Sequence, residues 1–335
     1  MKDKLKKIPF FYYWKQTLRE GIKVKYPVEN FLSKHKFVPI IPLYFQSLVK
    51  ALKTRRKFSK VKTYCMFLGN QRSGHSLIAS LIDAHPNVII SHEVNALKYW
   101  SMGFTRNQIF SLLLENSSSY AARGRGESGY NYVVPNQHQG KFKKLLVIGD
   151  KDGRRDTSQL ARFSNIIRPI TKKNEDVKII MVVRNPFDNI TTISLRNRET
   201  EVNQKDIDRY FDMAHASEEF INSVGSKSCF TINHEEVIDS PKTALAKICD
   251  FLEVPASEDY LNDCASIIYS SANKSRHKLP WSKEKIEHVN KKIAKISFLK
   301  GYSFKIIFFM IYISNLIFSD AGLFNLDFNL FDTLT

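Results

Sequence analysis

At 335 residues the chain can bury a large core, and 51 Lys plus Arg against 33 Asp plus Glu give it a formal charge of +18. Such an excess of cations predicts an anionic ligand, an anionic polymer or an acidic membrane surface. Cys65, Cys229, Cys249 and Cys264 form no CxxC or Cys/His pattern, which argues against a disulfide framework or a zinc site and makes a reducing, cytoplasmic setting the simplest.

Residues 1–62 read as a basic, aromatic N-terminal extension, with Lys2, Lys4, Lys6 and Lys7 beside Phe10, Phe11, Tyr12, Tyr13 and Trp14, and Lys53, Arg55, Arg56, Lys57, Lys60 and Lys62 at its end. No signal peptide is visible, because Ile8 to Trp14 is short and is followed by Lys15 and Arg19 without a small-residue cleavage site. The extension is expected to pack its aromatics on the following domain and to present a solvated basic face. The alternative is peripheral membrane contact through interleaved cations and aromatics.

The next stretch organises the rest. Tyr64 to Leu68 is a strand-length apolar run, followed by Gly69-Asn70-Gln71-Arg72-Ser73-Gly74 and then by a helix with Leu77, Ile78, Leu81 and Ile82 on one side. A loop entering a helix presents unpaired N–H groups at the positive end of the helix dipole, where a phosphate or sulfate fits. Arg72 adds charge there, and Ser73, His75 and Ser76 add side-chain donors. Pro86 stops the helix, and Val88 to Ile90 is a second strand ending at Ser91-His92-Glu93, expected to return beside the first and set His92 and Glu93 next to the loop.

Residues 94–143 read as helical around Ile109 to Leu114 and then irregular. Gly124-Arg125-Gly126-Glu127-Ser128-Gly129 matches GxGxxG, but no strand precedes it and an extended run, Tyr130 to Val134, follows. A loop near the site, with Arg123 and Arg125 as substrate contacts, is therefore expected instead of a dinucleotide fingerprint. Leu145 to Ile148 is a third strand closed by Gly149-Asp150-Lys151, and Val177 to Val183 a fourth closed by Arg184-Asn185-Pro186. Ligands of parallel sheets bind beyond the strands' carboxyl ends, which places Lys151 and Arg184 at the same opening as Arg72 and Glu93. Pro186 begins a helix crowded with Thr191, Thr192, Ser194, Arg196 and Arg198, suited to an anion held between Arg184 and a hydroxyl two turns on.

Phe230 to Asn233 is a fifth strand, Ser240-Pro241 opens a scaffold helix, Ser270 to Trp281 is a basic loop, and a last helix runs from Ser282 to about Leu299. Phe304 to Phe318 is an apolar tail shorter than the roughly 20 residues of a membrane span, suited to a core helix, an oligomer face or membrane contact, with packing against protein preferred. Three parts result: residues 1–62, a domain over 63–300, and a tail over 301–335. The fold expected is α/β, a P-loop-type three-layer sandwich whose central, mainly parallel sheet of about five strands is flanked by helices.

Residues 63–300 carry motifs that resemble the sulfotransferases using 3′-phosphoadenosine 5′-phosphosulfate, PAPS. Gln71-Arg72-Ser73-Gly74-His75-Ser76 resembles that family's 5′-phosphosulfate loop, with His75 in place of the commoner Thr or Ser. Val183-Arg184-Asn185-Pro186-Phe187-Asp188 with Thr192, or Ser194, as hydroxyl donor resembles the 3′-phosphate motif. The run from His234 to Val254, then Arg276 and Trp281, resembles the late scaffold helix and basic loop, from which an arginine reaches the 3′-phosphate.

The resemblance implies PAPS as donor, PAP as product, no metal, no nucleic acid, and a small-molecule, glycan or lipid acceptor; the basic, aromatic N-terminus favours a carbohydrate or lipid-linked one. Oligomeric state and acceptor stay open, the acceptor pocket being assigned to loops over residues 94–143 and 199–225. Sulfuryl transfer needs charge stabilisation on the leaving phosphate, given to Arg72, and a base. Glu93 is preferred and His92 is the competitor, on the argument that neighbours on an extended strand point to opposite faces. Lys151 is a contact to the sulfuryl group or acceptor. The rivals are a P-loop ATP-dependent phosphotransferase, disfavoured because Gly74 is followed by His75 where GxxxxGK[ST] needs lysine, and a non-enzymatic basic protein that binds nucleic acid or anionic lipid.

Overall fold

A computed structural model of the chain describes residues 8–20, 22–23, 37–38, 40–127, 130–163, 166–167, 170 and 176–305. Its centre is a five-stranded sheet of β1 (Thr63–Leu68), β2 (Val88–His92), β3 (Val147–Lys151), β4 (Asp176–Val183) and β5 (Cys229–Asn233), in the order β2-β3-β1-β4-β5 with every pairing parallel. All six residues of β1 are buried, as expected of a strand covered on both faces.

Successive residues of a strand serve opposite faces, and the core divides accordingly. Tyr64, Met66 and Leu68 of β1 join Ile179, Met181 and Val183 of β4 in one apolar cluster. Cys65 and Phe67 join Ile180 and Val182 in the other.

The first face is covered by α1 (Pro9–Glu20), α2 (Ile40–Thr54), α4 (Ala96–Ser101), α5 (Arg106–Ala122), α6 (Gly153–Arg162), α7 (Pro186–Arg196), α8 (Gln204–Val224) and α12 (Lys283–Ile293). The second is covered by α3 (His75–Asp83), α9 (His234–Asp239), α10 (Pro241–Leu252) and α11 (Glu258–Ser266). This is the three-layer α/β sandwich with a parallel sheet expected from the sequence.

Ile40 and Leu43 of α2, with Phe58 and Val61 after it, lie in the same core cluster as β1 and β4, so packing is continuous across residue 62. The apolar tail expected over 304–318 lies, after Lys305, outside the described residues. No helix among the described residues is long and apolar enough to cross a membrane.

Four details differ from the sequence reading. β3 lies between β1 and β2, so the first βαβ unit skips a position, and His92 is opposite Lys151 in the register. β3 runs through Gly149-Asp150-Lys151 instead of stopping before them. Residues 204–224 form a 21-residue helix, N-capped by Asn203, that packs against α6 and α7, so this stretch is scaffold and no acceptor loop. The last helix ends at Ile293, followed by a 3-10 turn at Ser297–Leu299.

Gly149 is the close approach in the sheet: a Cβ there would stand 2.1 Å from the Cys65 carbonyl oxygen of β1, a backbone atom that cannot swing aside. Gly149→Ala is therefore expected to destabilise by at least about 2 kcal/mol through forced separation of β1 and β3. At Gly126, where a Cβ meets nothing within 4 Å, the same change stays within about 0.5 kcal/mol of wild type. Parallel denaturant melts of the two variants check the contrast.

Candidate active site

The carboxyl ends of β1, β2, β3, β4 and β5 open on one cavity of about 800 Å³, walled by Gln71, Arg72, Gly74, His75, Ser76, Glu93, Lys151, Arg184, Thr192 and His234 among others. That volume suits a drug-sized or nucleotide-sized ligand. Its lining holds five cations, Arg72, Lys151, Arg154, Arg155 and Arg184, against two carboxylates, Glu93 and Asp152, so it favours an anion.

The loop after β1 turns through left-handed residues, Gly69 (φ 122°), Arg72 (φ 68°) and Gly74 (φ 101°), before α3 begins at His75. Gly74 needs to be glycine on a second ground, since a Cβ there would reach within 2.4 Å of His234 Nδ1. The loop is held from outside: Gly69 N–H donates to Thr157 Oγ1 (3.1 Å) and Asn70 Nδ2 to the Tyr210 carbonyl (3.1 Å). Arg72 stands at the cavity wall with Nε buried and without a hydrogen-bond partner among the described residues. Its pKa is lowered by burial and then by the neighbouring Arg196 charge. An anion placed against it would relieve both penalties.

The side chains of His75 and Ser73 are engaged within the protein. His75 Nε2 lies 2.8 Å from the Leu68 carbonyl, so the ring straps the loop's end to its beginning, and burial pushes the imidazole down to about 4. Facing a carbonyl, Nε2 carries the proton and donates; the residue's offering to an anion is its backbone N–H at the head of α3. Ser73 is buried with Oγ accepting from Asn189 Nδ2 at 2.8 Å and does not line the cavity. Ser76 does, and accepts from Lys151 Nζ at 3.2 Å.

Lys151 is the centre of the transfer side. Buried at the end of β3, its Nζ donates to Glu93 Oε1 at 2.9 Å and stands 3.4 Å from His92 Nε2. The expected alternation of His92 and Glu93 does not hold, because the strand ends at His92 and Glu93 adopts a left-handed φ of 57° that swings its carboxylate to the same ammonium. Asp150 fixes this turn by accepting from the N–H groups of Val94 and Ala96, although burial raises its pKa to about 6. Glu93 lines the cavity; His92, stacked on Tyr120 with ring centroids 4.4 Å apart, does not.

At the other end Arg184, buried after β4, donates to the Arg72 carbonyl (3.3 Å), Thr192 Oγ1 (3.4 Å), the Asn273 carbonyl (2.6 Å) and Ser275 Oγ (3.2 Å). Thr192 is thus brought to Arg184 as the eight-residue spacing requires. Ser194 is not: it is buried and donates to Asp206 Oδ2 at 2.7 Å, behind the helix.

Arg276 is not brought in either. Its Nη2 stands 2.5 Å from Asp188 Oδ2 and its Nη1 donates to the Ser303 and Phe304 carbonyls, so its charge is spent inside the protein. Arg125 is buried in an ion pair with Asp83 and supports Ser80 and Ser117, which rules out the substrate contact expected of it.

Sequence reasoning missed His234, Tyr130, Tyr132, Tyr269, Asn273 and Ser275, all on the cavity wall. His234 follows directly on β5, so the rule that found Lys151 and Arg184 also finds it; its imidazole is pushed down to about 4 by burial and then by Arg184. The tyrosines carried no signal beyond their composition. Tyr130 stacks on Tyr132 at 6.1 Å and meets Tyr269 edge-on at 5.9 Å, forming an aromatic wall.

The resemblance stated from the motifs is borne out by comparison with known proteins. Residues 136–259 match the family described as the sulfotransferase family, a span that holds Lys151, Arg184 and Thr192 and leaves out the loop, Glu93 and Arg276. Among solved structures, a Mycobacterium avium sulfotransferase is similar at 12% identity and a TM-score of 0.46, over 77% of this chain and 80% of that one. The sulfotransferase domain of the Synechococcus PCC 7002 olefin synthase is similar at 16% identity and 0.44, over 70% and 96%. A mouse sulfotransferase complexed with PAP is similar at 14% and 0.41, over 75% and 90%. Compared by sequence with curated proteins, the chain has no match.

The His75 strap gives a pH signature. An unfolded imidazole takes up its proton near 6.5 and the folded one only near 4, so the unfolded state binds more protons between those values and stability falls on acidification through that window. His75→Gln keeps a donor towards Leu68 and removes the titration. Wild type is expected to lose stability relative to His75→Gln as pH drops from 6.5 to 4, by about 3 kcal/mol at the lower end. Denaturant melts across that range read it; curves that stay parallel would mean the ring is not held neutral.

Proposed function

We propose that this chain is a PAPS-dependent sulfotransferase that moves a sulfuryl group to an acceptor hydroxyl or amine by in-line displacement. The observation carrying this reading is the single cavity in which the loop cation Arg72 and the Arg184–Thr192 pair stand next to each other, with Glu93 and Lys151 on the same wall. Two adjacent anion grips with no lysine after Gly74 suit a donor with separate phosphate groups better than they suit ATP.

The residues fit such a donor. The unpartnered Arg72 Nε and the N–H groups at the head of α3 would hold the 5′-phosphosulfate end, and Arg184 with Thr192 and Ser275 the 3′-phosphate end. PAPS supplies an activated sulfuryl group whose leaving group is the phosphate of PAP. Glu93 takes the acceptor's proton as the acceptor oxygen or nitrogen bonds to sulfur and the bond from sulfur to the bridging oxygen breaks. Lys151, donating to Glu93 and Ser76, orients the carboxylate and offers charge to the equatorial oxygens of the group in flight. Arg72 receives the charge that develops on the leaving phosphate. Exposure to the cavity favours Glu93 over His92 as the base.

A carbohydrate or lipid-linked acceptor is the class we favour, since the Tyr130–Tyr132–Tyr269 wall offers a flat apolar face beside the cations.

PAP at 100 times its dissociation constant should stabilise the protein by about 2.7 kcal/mol in a thermal-shift assay, and ATP with magnesium should not. Stabilisation by ATP alone would sink the sulfotransferase reading. Glu93→Gln is expected to lower transfer from labelled PAPS by at least about a hundredfold while PAP affinity stays within a few-fold of wild type. Undiminished transfer would move the base to His92.

A further inference from the structure

We propose that the outward faces of α1 and α2 together form a docking surface for an anionic lipid bilayer, lying in its interface without crossing it. The sequence of α2 shows two apolar faces where a surface helix needs one. Ile40, Leu43 and Ala51 point into the core. Ile41, Phe45, Val49 and Leu52, spaced four, four and three residues apart, form a second stripe that is 53–63% exposed.

α1 adds to the same surface. Its Tyr13 is buried, and Trp14 Nε1 donates to the Met102 carbonyl at 3.0 Å, which fixes the helix on the domain. Ile8, Phe10, Phe11 and Leu18 remain exposed. Phe10 and Trp14 of α1 share a shallow groove of about 350 Å³ with Ile41, Tyr44 and Phe45 of α2, so the two stripes are one patch.

An exposed apolar patch of this kind marks an interaction surface, and the charge around it selects the partner. Residues 40–62 contain no acidic residue. Lys53, Arg55, Arg56, Lys57 and Lys60 follow the stripe directly, all exposed and none in an ion pair with the described residues, and Lys15 and Arg19 flank it on α1. Aromatic and branched apolar side chains ringed by unpaired cations match the acyl boundary and headgroup layer of an anionic membrane. A second copy of the chain would bring the same cations face to face, and like charges disfavour that arrangement.

The experiment is co-sedimentation of the full chain with vesicles of phosphatidylcholine alone or with about one-third phosphatidylserine, at low and physiological salt. Wild type should bind the phosphatidylserine vesicles, more weakly at higher salt, and bind phosphatidylcholine little. The double variant Phe45→Asp/Val49→Asp changes only exposed side chains and should keep the wild-type melting temperature and PAP response, while its vesicle affinity falls by at least about tenfold. Arg55→Glu/Arg56→Glu should weaken binding comparably.

No binding to phosphatidylserine vesicles overturns the proposal. So does binding that Phe45→Asp/Val49→Asp leaves intact, which would reduce the effect to charge attraction without insertion. A wild-type dimer in light scattering that the same double variant dissolves would assign the patch to a second copy instead.

Discussion

The buried guanidinium of Arg184 is the contact on which the site depends, because it ties together three segments that share no backbone pairing. Its donors reach the loop after β1 at Arg72, α7 at Thr192 and the loop before the last helix at Asn273 and Ser275. Thr192 is set by the helix that follows Arg184, but Arg72 and the Asn273–Ser275 stretch are too far along the chain to be positioned by local structure, so the geometry of this cavity wall depends on one side chain whose planar fork can satisfy several acceptors at once. What holds Arg184 is the turn that follows it: Asn185 N–H donates to Glu235, the Asn185 side chain caps α7 by accepting from Phe187 N–H, and Pro186 starts the helix.

Directly behind it, the Arg276–Asp188 pair locks the 275–277 turn against α7, aided by the Arg276 backbone N–H donating to the same carboxylate at 2.8 Å. Buried ion pairs seldom add net stability relative to an apolar pair, but they tolerate only one geometry. Here that geometry is what presents Ser275 and the Asn273 carbonyl to Arg184. The late arginine is therefore a fastener for the site's wall, in a place where the family resemblance assigns a ligand contact.

The fold was legible because its signals are periodic or punctuated: apolar runs of strand length, a proline at the start of α7, and the rule that a parallel sheet binds beyond its carboxyl ends. The same rule placed Arg72, Lys151, Arg184 and Thr192 at one opening, and His234 would have followed from applying it to the fifth strand. What could not be read was which polar side chains are consumed internally. Ser73 meets Asn189, 116 positions away, Arg276 meets Asp188 at 88, and Arg125 meets Asp83 at 42, and no spacing rule reports partners that remote. Backbone handedness was the other blind spot, since the alternation that would separate His92 from Glu93 assumes an extended residue and Glu93 has a φ of 57°.

The cations of the cavity wall carry a cost. Burial disfavours the charges of both Arg72 and Arg184, and the neighbouring Arg196 charge adds to the cost at Arg72. At Arg184 the nearby carboxylates of Asp188 and Glu235 work against that cost. Replacing a loop lysine or hydroxyl by His75 fits the same economy of charge. A neutral imidazole closes the loop on the Leu68 carbonyl without adding another cation, so the positive field stays concentrated in the arginines that line the cavity.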